Sequence, residues 1–206
     1  MAGPTPQRRF QNPALFVCDI QTAFRQAIHS FPSVVQTTTK LIRFSGALSI
    51  PIYVTTQNRA RLGDTVPELA SALAAAGPDL VRADVDKTRF SMYLPEISSQ
   101  LPPGSEVVIV GIESHICVTQ TALDLLQAGH KVYVAADGVS SSNKDEVPVA
   151  LARLRAAGAV VTSSESWMYE CMGDAGIPEF KSVIGVVKDT MKDTKEAWQG
   201  LVGSKI

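Results

Sequence analysis

The sequence has only three cysteines in 206 residues, and no two of them form a Cys-x-x-Cys pair. That argues against a disulfide framework and a cysteine-based zinc site, and for a reducing compartment. It also has little net charge, with 19 Lys+Arg against 20 Asp+Glu. Neither a nucleic acid nor an anionic membrane would gain much from such a surface. No apolar run approaches the roughly 20 residues needed to cross a bilayer. The stretch MAGPTPQRRFQNP carries two arginines but lacks the apolar segment of a secretory leader. Three scattered histidines make no metal-ligand set, so no metal or other cofactor is expected. These absences predict a cytoplasmic protein whose partner is a small-molecule substrate, with neither nucleic acid nor membrane involved. Export by a route that uses no signal peptide is compatible with the same residues.

What the chain does have is a core. Hydrophobic residues make up 45% of it, too many for disorder, and its length suits one domain. Apolar runs alternate with segments of helical period. The runs at Ala14–Asp19, Pro51–Thr56, Leu80–Val85 and Glu106–Ile112, the stretch HKVYVAADGV and the residues after Gly158 predict six strands. VVQTTTKLIRFSGALSI, VPELASALAAAG, the segment ending at Gly129 and VPVALARLRAAG predict helices, with Gly158 as a stop. Strands rich in Val, Ile and Ala without alternation need cover on both faces. A parallel sheet in a three-layer α/β/α domain follows. The segment after Asp189 has weak periodicity and reads as a loose or interface-forming tail.

Ligands of such sheets sit at the carboxyl ends of the strands. The polar residues placed there are Asp19, Gln57, Lys87, the Glu113–Cys117 stretch and Asp137. Cys117 falls about three residues into a helix that Ser114 would cap. Free N–H groups at that point favour a thiolate and could hold an oxyanion. Taken singly, Cys117 could be a small packing residue, Asp19 a turn cap and Lys87 a solvated lysine. Together they supply a thiol, a base to deprotonate it and a cation to brace both. Cys18 lies inside its strand, and Cys171 has no evident acid–base partner. His115 is two residues from Cys117, so the two point to different sides of a helical turn. Surface roles suffice for His29 and His130.

Three motifs in order carry a resemblance across Asn12–Asp189: LFVCDIQTAF, DKTRFSMY and GIESHICVTQTALDLLQAGHKVYVAADGVSS. The chain resembles the isochorismatase-like cysteine hydrolases. GIE before the cysteine stretch, with VPEL and ALARLRAAGA, resembles most the eukaryotic isochorismatase-domain-containing subgroup. The resemblance implies a Rossmann-like six-stranded parallel sheet in the order 3-2-1-4-5-6, with the domain spanning 12–189, a tail at 190–206, and a homo-oligomer. It implies Asp19 as general base, Lys87 as third triad member and Cys117 as nucleophile. It further implies a cis peptide between Ile112 and Glu113, with the backbone N–H groups of Glu113 and Cys117 forming an oxyanion hole. Gln21, Phe24, Gln57, Phe90 and His115 are expected beside the triad as pocket lining.

Two departures shape the expected chemistry. YVTTQNRARLGDTVPE has no histidine, where the metal-assisted nicotinamidases of the superfamily place theirs. Cys117 is present, although cleavage of the isochorismate vinyl ether needs only an acid. The reading is therefore hydrolysis of a small amide or related C–N bond through an acyl-enzyme. Isochorismate hydrolysis with Asp19 as acid is the alternative, and a non-catalytic scaffold or binding protein a second one.

Overall fold

The computed structural model describes residues 8–203. The first seven residues of the stretch examined for a leader, and the last three of the tail, lie outside the described residues. The strands are β1 (Pro13–Cys18), β2 (Ile52–Gln57), β3 (Val81–Lys87), β4 (Glu106–Gly111), β5 (Lys131–Val139) and β6 (Val160–Thr162). They form one sheet in the order β3-β2-β1-β4-β5-β6, and every neighbouring pair is parallel. Strand order reverses at β1, between β2 and β4. Every position of β1 from Ala14 to Cys18 is buried, as a central strand covered on both faces requires.

The helices are α1 (Phe31–Leu48), α2 (Arg59–Leu62), α3 (Pro67–Ala76), α4 (Pro95–Ser98), α5 (Thr119–Gln127), α6 (Glu146–Ala156), α7 (Ser164–Met172), α8 (Phe180–Asp189) and α9 (Met191–Ala197). Two cores result. Leu15 and Val17 of β1 pack with Leu41 and Phe44 of α1 and Trp167 of α7. Phe16 and Cys18, on the opposite side of the same strand, pack with Val118, Ala122 and Leu125 around α5. Alternate residues of one strand thus serve the two helical layers. No helix among the described residues is long and apolar enough to cross a membrane.

Three features differ from the sequence pattern. The pattern gives no helix between the sixth strand and the tail, yet α7 and α8 lie there. Gly173, Gly176 and Pro178 break that region into pieces too short for periodicity to show. The tail packs on the domain: Lys40 Nζ donates to Thr194 Oγ1 at 2.9 Å, and Gln36 Nε2 to Asp193 Oδ1 at 3.3 Å. Finally, β6 has three residues and β3 alternates between half-buried and exposed positions, because both are edge strands.

Candidate active site

The end of β1 sets the centre of the site. Asp19 follows the last strand residue with φ +53°, a left-handed conformation uncommon for a non-glycine residue. Its N–H donates to Thr55 O at 3.1 Å, and its side chain is buried. Asp19 Oδ1 accepts from Thr55 Oγ1 at 2.7 Å; Oδ2 accepts from Lys87 Nζ at 2.7 Å and lies 3.6 Å from Cys18 Sγ. Lys87 ends β3, two strands away. Its ammonium also donates to Gln57 Oε1 at 2.7 Å, Phe90 O at 3.0 Å and Arg89 O at 3.1 Å. Gln57 is itself held, its Nε2 donating to Thr88 O at 2.9 Å. Burial works against the charge on Lys87. The attraction of Cys18, Asp19 and Cys117 outweighs it and holds the lysine above its ordinary value of 10.5.

Cys117 comes from the other side of the switch point. β4 ends at Gly111, whose φ is +117° and whose Cα faces the backbone of Cys18. A Cβ there would collide with the Cys18 carbonyl, so only glycine fits. The Ile112–Glu113 peptide is cis. Ser114–Val118 then forms a π-helical turn leading into α5. Glu113 O accepts from Ile116 N–H at 3.0 Å and from Val118 N–H at 3.2 Å. The Glu113 and Cys117 N–H groups are not part of that closure. Thr119 Oγ1 donates to Ser114 O and Thr121 Oγ1 to Cys117 O, both at 2.6 Å. Ser114 does not cap the helix. Glu113, extended at φ −86° and ψ 143°, precedes the turn, and the buried Ser114 hydroxyl has no partner among the described residues.

The two sulfurs differ in what they can do. Cys117 packs in the same cluster as Cys18 and keeps 7% of its surface exposed, while Cys18 keeps none. Burial, then contact with Cys117 and the charge of Asp19, push the Cys18 thiol far up, with Lys87 opposing. Burial also pushes up Cys171, which lies in α7 and packs in the core on the other side of the sheet. Cys18 and Cys171 are thus held as thiols.

The remaining expected residues divide. Gln57 reaches Asp19 through Lys87. Phe90 is half exposed and contributes its carbonyl to the same lysine. His115 Nδ1 meets Ser141 Oγ at 3.0 Å and lies 4.0 Å from Glu113 Oε2, on the β5 side of the turn. Gln21 is fully buried with its amide engaged: Nε2 donates to Gly63 O at 2.7 Å and Gln57 O at 3.1 Å, and Oε1 accepts from Gln57 N–H at 2.7 Å. It ties the loop after β1 to the end of β2. Phe24 packs against the α1 core. Asp137 makes no hydrogen bond to Asp19, Lys87 or Cys117 among the described residues. It accepts from Ser164 N–H at 2.7 Å, and sits 3.9 Å from buried Lys40. His130 is buried under Tyr93, with Nδ1 unpartnered among the described residues, so a surface role does not describe it.

Sequence reasoning missed four partners. Thr55 fixes Asp19, and its one signal was a polar residue inside the YVTT run. Ser140, Ser141 and Ser142 hold the cysteine turn from β5: Ser140 O accepts from Ser114 N–H at 2.8 Å, and Ser142 N–H and Oγ each donate to Glu113 Oε2 at 2.8 Å.

The isochorismatase domain model matches residues 13–166, so the chain belongs to the isochorismatase family. A Phytophthora sojae protein named secreted isochorismatase effector Isc1 is 42% identical over 86% of this chain and 85% of its own. The Xenopus laevis isochorismatase domain-containing protein 2 is 36% identical over 89% of this chain and 87% of its own. Such proteins form the subgroup the motifs indicate. Among solved structures, one titled MAR1 ribonuclease from Caenorhabditis elegans superimposes with a TM-score of 0.80 at 36% identity, covering 89% of this chain and 93% of that one. Fold and family together define an isochorismatase-fold hydrolase with a buried cysteine, aspartate and lysine at the strand ends.

Proposed function

We propose that Asp19, Lys87 and Cys117 are the triad of a cysteine hydrolase acting on a small amide or related C–N bond. The observation that carries the reading is the four-acceptor seat of Lys87. It presents a fixed, buried ammonium to Asp19 Oδ2, and of the two cysteines clustered there Cys117 is the one that retains exposure. Asp19 takes the Cys117 proton, and the sulfur attacks the substrate carbonyl carbon. The C–N bond breaks as the amine leaves with the proton from Asp19, and a thioester remains. Asp19 then deprotonates a water that attacks the thioester, releasing the acid and restoring the Cys117 thiol. The N–H groups of Glu113 and Cys117 receive the oxyanion in both steps. Lys87 steadies Asp19 through its proton exchange.

The name of the Phytophthora relative supports a second reading, vinyl-ether cleavage with Asp19 as acid, in which the sulfur is dispensable. A panel of small amides, ureides, isochorismate and RNA separates these. On an amide, Cys117→Ala and Asp19→Asn should each lower kcat/KM by several orders of magnitude, as loss of a covalent nucleophile does. An active Cys117→Ala enzyme overturns the amidohydrolase reading. RNA is included because the Caenorhabditis elegans protein is described as a ribonuclease; a net charge of −1 gives no support to nucleic-acid binding. Homo-oligomer formation is part of the proposal, with exposed Val149, Val160 and Met191 as apolar surface to cover. Sedimentation velocity tests it.

A further inference from the structure

A cavity of about 480 Å³ lies outside the triad, between α6 and the C-terminal residues 199–203. Its size falls in the range of small-ligand sites, about 300–1,000 Å³. Val147 and Leu151 of α6 and Val202 of the C-terminal segment give it an apolar wall. Lys144 and Arg155, near the two ends of α6, also line it. Neither makes a salt bridge among the described residues, whereas most arginines of the chain are paired. Two uncompensated cations beside an aliphatic wall match a molecule with one anionic head and an apolar body.

The cavity also touches the cysteine turn through a short chain of bonds. His29 lines it and donates from Nε2 to Gly200 O at 2.9 Å. The backbone of His29 is fixed to the end of β5: its N–H donates to Ser141 O at 3.0 Å, and its carbonyl accepts from Ser140 Oγ at 2.6 Å. Ser140 O holds Ser114 N–H, and Ser141 Oγ holds His115. Both residues belong to the turn that carries Cys117.

We propose that this cavity binds a small carboxylate with an aliphatic or aromatic body, and that its occupancy is transmitted through His29 and Ser140–Ser141 to the Cys117 turn. The carboxylate meets one of these two cations, Lys144 or Arg155, which lie roughly 16 Å apart along the helix, and the apolar body displaces water from Val147, Leu151 and Val202. A ligand filling the cavity presses on the Gly200 segment and the His29 ring, and so on the backbone that sets the turn.

The test uses sodium octanoate as probe and octan-1-ol as its uncharged control, with the full chain. Titration calorimetry should show octanoate binding, and octan-1-ol binding at least tenfold more weakly. Lys144→Glu/Arg155→Glu, two exposed positions, should weaken octanoate at least tenfold without changing thermal stability. Leu151→Trp should block it by filling the cavity. Saturating octanoate should change the rate of Cys117 alkylation in the wild type, and not in the double variant. Absent binding, equal binding of octan-1-ol, or full octanoate affinity in the double variant overturns the site. Binding with an unchanged alkylation rate overturns the link to the turn. The binding arm stands whether or not Cys117 is the nucleophile.

Discussion

Lys87→Met tests the centre of the site most directly. The substitution keeps the apolar stem and removes the ammonium. Asp19 then retains Thr55 Oγ1 as donor but loses the 2.7 Å contact to Nζ, in a place where both side chains are almost wholly buried. Leaving one partner of such a pair uncompensated costs about 3–5 kcal/mol. Gln57 Oε1 and the carbonyls of Arg89 and Phe90 lose a donor as well, at roughly 1 kcal/mol each where water cannot replace it. A loss of about 6–8 kcal/mol is therefore expected where water stays out, a large share of the stability of a typical domain. Urea unfolding followed by the fluorescence of buried Trp167 measures it as a shift in midpoint at constant slope. Lys87→Met/Asp19→Asn removes both charges and should be more stable than Lys87→Met alone. The sign with pH follows from the raised value of the lysine. Its contribution is fully present below 10.5 and is lost only as pH rises through the higher folded value. The gap between wild type and Lys87→Met should accordingly persist up to pH 10.5 and narrow above it. A loss under about 1 kcal/mol, the worth of an exposed pair, or a double variant less stable than the single one, would refute the reasoning.

Brief treatment with iodoacetamide followed by peptide mapping should find Cys117 modified first, since burial holds Cys18 and Cys171 as thiols; earlier labelling of either contradicts the nucleophile assignment. Gly111→Ala should destabilise by more than about 3 kcal/mol, because the added methyl meets the Cys18 carbonyl at a positive φ; a variant with wild-type thermal stability would show that the β1–β4 contact can relax. His130 is pushed below 6.5 by burial, so the unfolded chain takes its proton first. Stability should then fall as pH drops from 6.5 toward the folded value. His130→Phe should flatten that limb in acid denaturation, and an unchanged limb would count against the assignment.

The residues by themselves determined the layering and the chemistry on offer. Unbroken Val/Ile strands between amphipathic segments permit little but a parallel sheet covered on both faces. Asp19, Lys87 and Cys117 stood out because each follows or closes a strand, at the end where parallel sheets place their ligands. That argument is local, and local signals survive in a sequence. What each side chain touches is not local. The clamp of Gln21 on residues 57 and 63, the anchoring of Asp19 by Thr55 and the support of the cysteine turn by Ser140–Ser142 join residues 26 to 42 positions apart. No periodicity records such pairings, because they arise only when crossovers bring strand ends together. For the same reason the tail looked unattached. Its few apolar and polar contacts acquire meaning only against α1 and β5, whose surfaces exist once the sheet has formed.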